Sequence, residues 1–403
     1  MDDCASGAAL PLAQPQQIFF DGMINFHAAL FDSMSMNYRG LMMNKQQKDA
    51  FKATVVTISA LLFLSCIPSL ARGQQASTSV SSTSFAPKAA PALNPSETTE
   101  HWGILPLAGN HLHALPPLAG EKDMLSSFTR ELIQVQWRPN DPIDLYVIRP
   151  KGIVKPPVVL FLYGYPTDSD KFRNDAFCQN VVKHGFAAVG FVSALTGQRY
   201  HDRPMKEWFV SELQESLATS VHDVQMVLNY LATRGDLDMN RVGIFGQGSG
   251  GTIAILAAEV DPRIKSVDVM DPWGDWPDWL VKSPQIPEAE RANYLKPEFL
   301  AKVASLDPMH SLQQLKGRPF RLQENLFNLA IPETVRKQIE TAASGTAQIV
   351  EYHDTKEYGE KVSANGKMLE WMQSQLQDAS QTITPKEFLE KAVANENKNR
   401  QRQ

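Results

Sequence analysis

The residues best equipped for chemistry lie in one run, Arg241-Val-Gly-Ile-Phe-Gly246-Gln247-Gly248-Ser249-Gly250-Gly251, which reads as an apolar strand, a tight glycine turn and a helix start. Two chemistries use that geometry. In one, Gly246, Gly248 and Gly251 satisfy G-x-G-x-x-G and the helix start receives a pyrophosphate. Asp268, 22 residues after Gly246, then stands where an acid would hold a ribose hydroxyl. In the other, a nucleophile stands on a sharp strand-to-helix turn, and small residues two before and two after it let the two elements pass closely. The run follows several other strands and opens a short helix, which weighs against the dinucleotide.

Other chemistry-bearing residues are scattered. His111 and His113 are of metal-ligating type, but no third ligand stands at a sensible spacing, so solvent exposure is expected. His201, Asp202 and Arg203 follow a predicted strand and belong either to a cleft mouth or to a surface turn. Trp273, Trp276 and Trp279 either roof a ligand pocket or pack a cap onto a sheet. No metal centre and no cofactor is predicted.

A glycine turn of this kind needs a sheet to hold it. Val158-Val159-Leu160-Phe161-Leu162 is a continuous apolar run, as in a strand buried on both faces of a parallel sheet. Similar runs cover residues 186–192, 242–245, 264–269 and 347–352. Residues 129–135 and 143–148 flank the turn Arg138-Pro139-Asn140-Asp141-Pro142 and read as a hairpin. Between strands, Val221, Val224, Val227, Leu228 and Leu231 make the apolar stripe of a helix over 220–233, with Asp223 on its outer face or at a buried contact. Strands alternating with helices predict an α/β protein with a doubly wound, mostly parallel sheet. Residues 271–315 break the alternation and are predicted to form a helical cap insertion. The domain is placed at 121–380. Residues 381–403 form a C-terminal helix, opened by Thr384-Pro385-Lys386-Glu387, and a polar tail.

Together these segments resemble the α/β-hydrolase superfamily, particularly its dienelactone-hydrolase-like and prolyl-oligopeptidase-like serine hydrolases. The resemblance spans about Arg130 to Leu376. It is carried by Asp223 with Leu228 and Leu231, Asp238-Met-Asn-Arg241-Val before the turn, Ala257-Ala258-Glu-Val-Asp261-Pro-Arg263-Ile-Lys after it, and Leu369-Glu-Trp371-Met near the end. It implies a nucleophile, an acid and a histidine in that chain order. Matching Arg241 and Gly246 to the superfamily puts Gly248 in the nucleophile slot. Sliding by one makes Ser249 the nucleophile but leaves Gln247 where a small residue is needed.

The run from Arg318 to Pro332 resembles the acid-bearing loop, and its acid slot holds Asn328; the run from Val350 to Gly359 resembles the histidine loop, and its slot holds Glu357. Glycine has no side chain to attack a carbonyl. An amide cannot stabilise an imidazolium as a carboxylate does. The resemblance therefore implies a degenerate triad. The rival set has Ser249 attacking, His353 as base, and Asp271 or Glu324 orienting it. The loop Tyr163-Gly164-Tyr165-Pro166 resembles the superfamily's oxyanion loop, so the N–H groups of Tyr165 and Ser249 are the expected oxyanion donors.

With 39 basic and 44 acidic residues the net charge is −5, and no basic stripe is interleaved with aromatics, which argues against a nucleic-acid partner. Residues 53–64 are uncharged and mostly apolar, preceded by Lys45, Lys48 and Lys52 and followed by Ser69-Leu70-Ala71-Arg72-Gly73, the pattern of a secretory signal. An uncleaved membrane anchor is the alternative, although Pro68 interrupts the longer apolar run. Met42 and Met43 stand just before the basic stretch and mark the expected start, so 1–73 is read as upstream residues plus signal. Of the 27 residues from Gln74 to Glu100, 18 are Ser, Thr, Ala or Pro, too few apolar positions for a core. Residues 74–120 are therefore read as a flexible linker and lead-in. Cleavage leaves Cys178 alone of Cys4, Cys66 and Cys178, so no intrachain disulfide is expected.

The expected protein is exported, periplasmic or secreted: a pseudoenzyme of hydrolase fold with a small ester or peptide-like ligand. An active ester or amide hydrolase is the first alternative and a dinucleotide-binding protein the second.

Overall fold

The apolar runs in the middle of the chain become the middle strands of one sheet. The computed structural model describes residues 99–164, 169–194, 199, 213–363 and 367–376, all within the unit Ala89–Gln403. Its strands are β1 (Leu118–Met124), β2 (Phe128–Gln136), β3 (Pro142–Pro150), β4 (Pro157–Leu162), β5 (Ala187–Phe191), β6 (Asp238–Gln247), β7 (Ile264–Met270), β8 (Phe320–Asn325) and β9 (Gln348–Tyr352). Their order is β1-β2-β3-β5-β4-β6-β7-β8-β9. β1, β2, β3 and β5 pair antiparallel in succession; β5-β4-β6-β7-β8-β9 are parallel throughout. The α/β class and the mostly parallel sheet are as expected.

Helices α1 (Asp175–Val182), α2 (Leu213–Ala232), α3 (Ser249–Val260), α8 (Glu333–Ala343), α9 (Thr355–Tyr358) and α10 (Lys367–Leu376) connect or follow the strands. Side-chain alternation splits the core in two. Val158, Leu160 and Leu162 of β4 face a core shared with α2 and α3, while Val159 and Phe161 face Phe172, Phe245, Leu369 and Met372 on the other side. Each fully buried Val, Leu or Phe contributes about 1.5–3 kcal/mol, so these two layers dominate stability.

Two strands carry no apolar signature. β1 is exposed along nearly its whole length and pairs only with β2 at the sheet edge. β8 reads Phe-Arg-Leu-Gln-Glu-Asn, and its polar residues are all buried. The segment 271–315 is helical: α4 (Trp276–Lys282), α5 (Glu288–Tyr294), α6 (Pro297–Val303) and α7 (Pro308–Ser311), with 3-10 turns at Ala304–Leu306 and Leu312–Leu315. Proline in the first turn opens α4, α6 and α7. α6 packs on α2, α7 on α3 and α4 on α8, so the segment lies along the helical layer of that face.

The lead-in differs from its expected flexible state. Residues 99–120 are folded, and the ordered sheet begins at Leu118 rather than at 121. Glu100 pairs with Arg138 at 2.5 Å and its Oε1 lies 2.6 Å from His222 Nδ1. Gln225 donates to the Leu105 carbonyl at 2.8 Å and accepts from Leu107 N–H at 3.1 Å. Burial works to raise the Glu100 pKa, but Arg138 and His222 outweigh it and hold the carboxyl below its usual range. Composition missed this strap because its partners are remote polar side chains, Arg138 at 38 positions and His222 and Gln225 on α2 at about 120.

The proposed signal, the residues before it, most of the Ser/Thr/Ala/Pro-rich stretch, and the helix and tail at 381–403 lie outside the described residues. Among the described residues no helix is long and apolar enough to cross a membrane. Cys178 is buried, its Sγ donates to the Phe172 carbonyl at 3.3 Å, and burial pushes the thiol up to about 11.

Candidate functional site

At the end of β6 the chain turns sharply into α3 through Gly248, at φ 58° and ψ −125°. Side chains rarely adopt that backbone, and the strain is about 1–3 kcal/mol for a residue with a Cβ. The turn is fixed from both sides. Gly248 N–H donates to the Met270 carbonyl of β7 at 2.9 Å, and the Gly248 carbonyl accepts from Gly251 N–H at 2.9 Å and Thr252 N–H at 3.2 Å.

Space around the turn is uneven. A Cβ on Gly246 would lie 2.3 Å from the Gly250 carbonyl oxygen, and one on Gly250 would lie 2.1 Å from that of Leu162. A Cβ on Gly248 would meet nothing nearer than Trp273 Nε1 at 3.7 Å and Gly164 Cα at 3.9 Å. The positions without room are therefore those two before and two after Gly248. Gln247 and Ser249 flank it directly, with Ser249 buried at the first turn of α3.

Trp273 and Gly164 thus border the space in front of Gly248. Thr252, fully buried on α3, fixes Trp273 by donating to its carbonyl at 2.7 Å and accepting from its N–H at 3.0 Å. The indole stacks on Trp279 at 4.9 Å, which meets Trp276 edge-on at 5.8 Å. Tyr163, just before Gly164, is buried among Phe161, Phe172, Phe177 and Phe245, with Lys171 Nζ 4.0 Å above its ring. Tyr165 lies outside the described residues, as do His201, Asp202 and Arg203.

Asp271 follows β7 directly, one residue past the carbonyl that holds Gly248. Its carboxylate accepts from Asn325 N–H at 2.8 Å, Asn325 Nδ2 at 2.6 Å and Asn328 Nδ2 at 2.8 Å. The Asn328 side-chain oxygen Oδ1 accepts from Ala330 N–H at 3.1 Å. Asn328 therefore turns its amide nitrogen toward an acid that stands on the neighbouring strand end. Tyr358 is in the same neighbourhood, its pKa raised by burial and then by the Asp271 charge, and it packs edge-on against Tyr352 and Phe327.

His353 and Glu357 pair with each other within one turn. Glu357 Oε2 accepts from His353 N–H at 2.8 Å and lies 3.1 Å from His353 Nδ1, while its Oε1 accepts from Lys361. Lys361 first, then His353, hold the Glu357 carboxyl down at about 2. His353 is 67% exposed, and no described contact joins it to Asp271 or Asn328.

Two sequence expectations change. Glu324, considered as a partner of His353 or as a solvated charge, is only 2% exposed, and strand alternation turns it away from the face where Gln323 and Asn325 bond Asp268 and Asp271. Asp268 does not sit beside the glycine turn as a ribose ligand would. It is buried under α10, bonded to Arg321 at 2.9 and 2.6 Å and to Gln323 at 2.8 Å. His111 and His113 are exposed and join no metal-ligating cluster among the described residues. Asn325, Thr252 and Tyr358 were missed; their partners are remote in sequence, and only the polar residues of β8 hinted at them.

Residues 143–325 match the dienelactone hydrolase family. No curated protein sequence matches the chain. Among solved structures it is similar to an acetyl xylan esterase from Paenibacillus sp. R4, at 16% identity and TM-score 0.50 over 67% of this chain and 90% of the other. A second acetyl xylan esterase, from Thermoanaerobacterium sp. JW/SL YS485, aligns at 15% identity and TM-score 0.51 over 70% and 91%. An acylaminoacyl peptidase from Pyrococcus horikoshii aligns at 14% and 0.50 over 66% of this chain and 44% of its own. At these identities the likeness is one of fold.

Proposed function

We propose that this chain, whose fold is that of the α/β-hydrolases and whose residues 143–325 match the dienelactone hydrolase family, is a binding member, which receives a carbonyl- or carboxylate-bearing ligand at the glycine turn and does not cleave it. The observation that carries this reading is Gly248, held at φ 58° and ψ −125° between two positions with no room for a Cβ. That is the spacing a nucleophile requires of its neighbours. A residue without a side chain cannot form the acyl intermediate there.

The other two slots support the same reading. Asn328 donates its amide to Asp271 and supplies no carboxylate of its own. Glu357 is tied to Lys361 and His353 and offers no imidazole. What stays useful is the start of α3, where the helix dipole and N–H groups favour a negative oxygen. Trp273 adds an indole wall. The names of the similar structures suggest a small acyl ester or peptide-like carbonyl as the ligand class. Work outside the cytoplasm is part of the proposal and rests on the signal pattern between Lys45 and Gly73.

The experiment is hydrolysis of p-nitrophenyl acetate by the purified chain and by Gly248→Ser. Neither should exceed the buffer rate. The serine finds space but no base, since Asn328 and Glu357 do not replace the acid and histidine. Esterase turnover by Gly248→Ser alone would show that those two slots are not disabling; turnover by the unaltered chain, abolished in Ser249→Ala, would overturn the binding reading itself.

A further inference from the structure

We propose that Glu324, Glu340 and Glu351 form a binding site for a divalent cation of calcium type. The three come from different elements: Glu324 from β8, Glu351 from its register partner on β9, and Glu340 from α8. One carboxylate oxygen of each lies within 4.8 Å of the others. Oxygens on one Ca2+ stand about 2.3–2.6 Å from it, so two on opposite sides are roughly 5 Å apart. The spacing suits an ion between them.

A second observation points the same way. Glu324 is 2% exposed, and its buried Oε2 has no hydrogen-bond partner among the described residues. Buried carboxylate oxygens seldom go without one. The nearby cation, Arg336, makes no hydrogen bond to it: its Nη2 goes to the carbonyls of Asn325, Asn328 and Ile331, so its charge acts on Glu324 only through space. Three carboxylates at this distance cannot all stay charged without a proton or a cation among them. Glu340 is partly buried and Glu351 exposed, which leaves a route from solvent and room for water ligands.

Without an ion, burial and then Glu340 push the Glu324 carboxyl up to about 9, with Arg336 opposing and Asp271 adding slightly. The site would tie β8, β9 and α8 together, and it is independent of whether Gly248 has any catalytic history. No sequence motif announces it, because the three ligands are 16 and 11 residues apart in chain order.

The test uses the full chain after chelation, followed by thermal unfolding and equilibrium dialysis with CaCl2 at pH 7.5, with MgCl2 in parallel. The unaltered chain should bind one Ca2+ and gain several degrees in Tm, and Mg2+, which demands a tighter octahedral site, should give a smaller gain. Glu324→Gln and the exposed Glu351→Gln should each lose that gain. Should Glu324→Gln fail to fold, Glu351→Gln and the dialysis stoichiometry decide. No calcium response in the unaltered chain, or an equal response in all three proteins, would overturn the site and leave a shared proton in its place.

Discussion

Asp223→Ala should lower the unfolding free energy by about 3–5 kcal/mol, the cost of removing one partner from a buried ionic network. Asp223 is fully buried on α2. Its Oδ1 accepts from Trp137 Nε1 at 2.8 Å and Arg138 Nη1 at 2.5 Å, and its Oδ2 from Arg199 Nη1 at 2.5 Å. Arg138 also holds Glu100, and Arg199 also holds Asp141. Truncation leaves two guanidiniums facing an apolar hole, and the strap at residues 99–113 loosens with them. Burial alone would raise the Asp223 pKa, but the two arginines outweigh it and set it below 3.8. The folded value is depressed, so the network's contribution is present above about 3.8 and is lost as pH falls through the lower folded value. Urea unfolding followed by circular dichroism at pH 7 and pH 3 measures both effects. A loss under about 1 kcal/mol at pH 7 would mean the network is balanced by its own desolvation.

Gly250→Ala should cost about 3 kcal/mol, the upper end for overpacking, because its Cβ would meet backbone that cannot swing away. The clash is with the Leu162 carbonyl, at 2.1 Å to oxygen and 2.6 Å to carbon, at the end of β4. Gly248→Ala has space and should cost only its backbone strain, about 1–3 kcal/mol. The order of the two distinguishes their causes. Equal losses, or a larger loss at Gly248, would show that α3 can slide off β4 and that the flanking glycines do not define the turn.

Much of the sheet was legible because its strands advertise burial. Residues 158–162 can only be a strand with both faces covered, and its neighbours read the same way. β8 was not legible as a strand, since Arg321, Gln323 and Asn325 are buried through partners on β7, α10 and the residue after β7, which one sequence cannot pair. The lead-in failed for the same reason: Glu100 looked like the end of a linker until Arg138 and His222 came to it. At the site, the glycine spacing was readable because close passage of strand and helix is written in residue size. The Asp271–Asn328 bond spans 57 positions and was not. The His353–Glu357 pair spans only four, yet its separation from Asp271 depends on how the turn after β9 is capped by Asp354.

The most direct measurement is the intact mass of the purified chain after exposure to a fluorophosphonate, which phosphonylates an activated serine and spares ordinary hydroxyls. Unchanged mass, alongside full labelling of a serine esterase control, is the expected result, because the proposed function puts Gly248, which has no side chain, in the nucleophile position. One adduct per chain that maps to Ser249 and disappears in Ser249→Ala would contradict it.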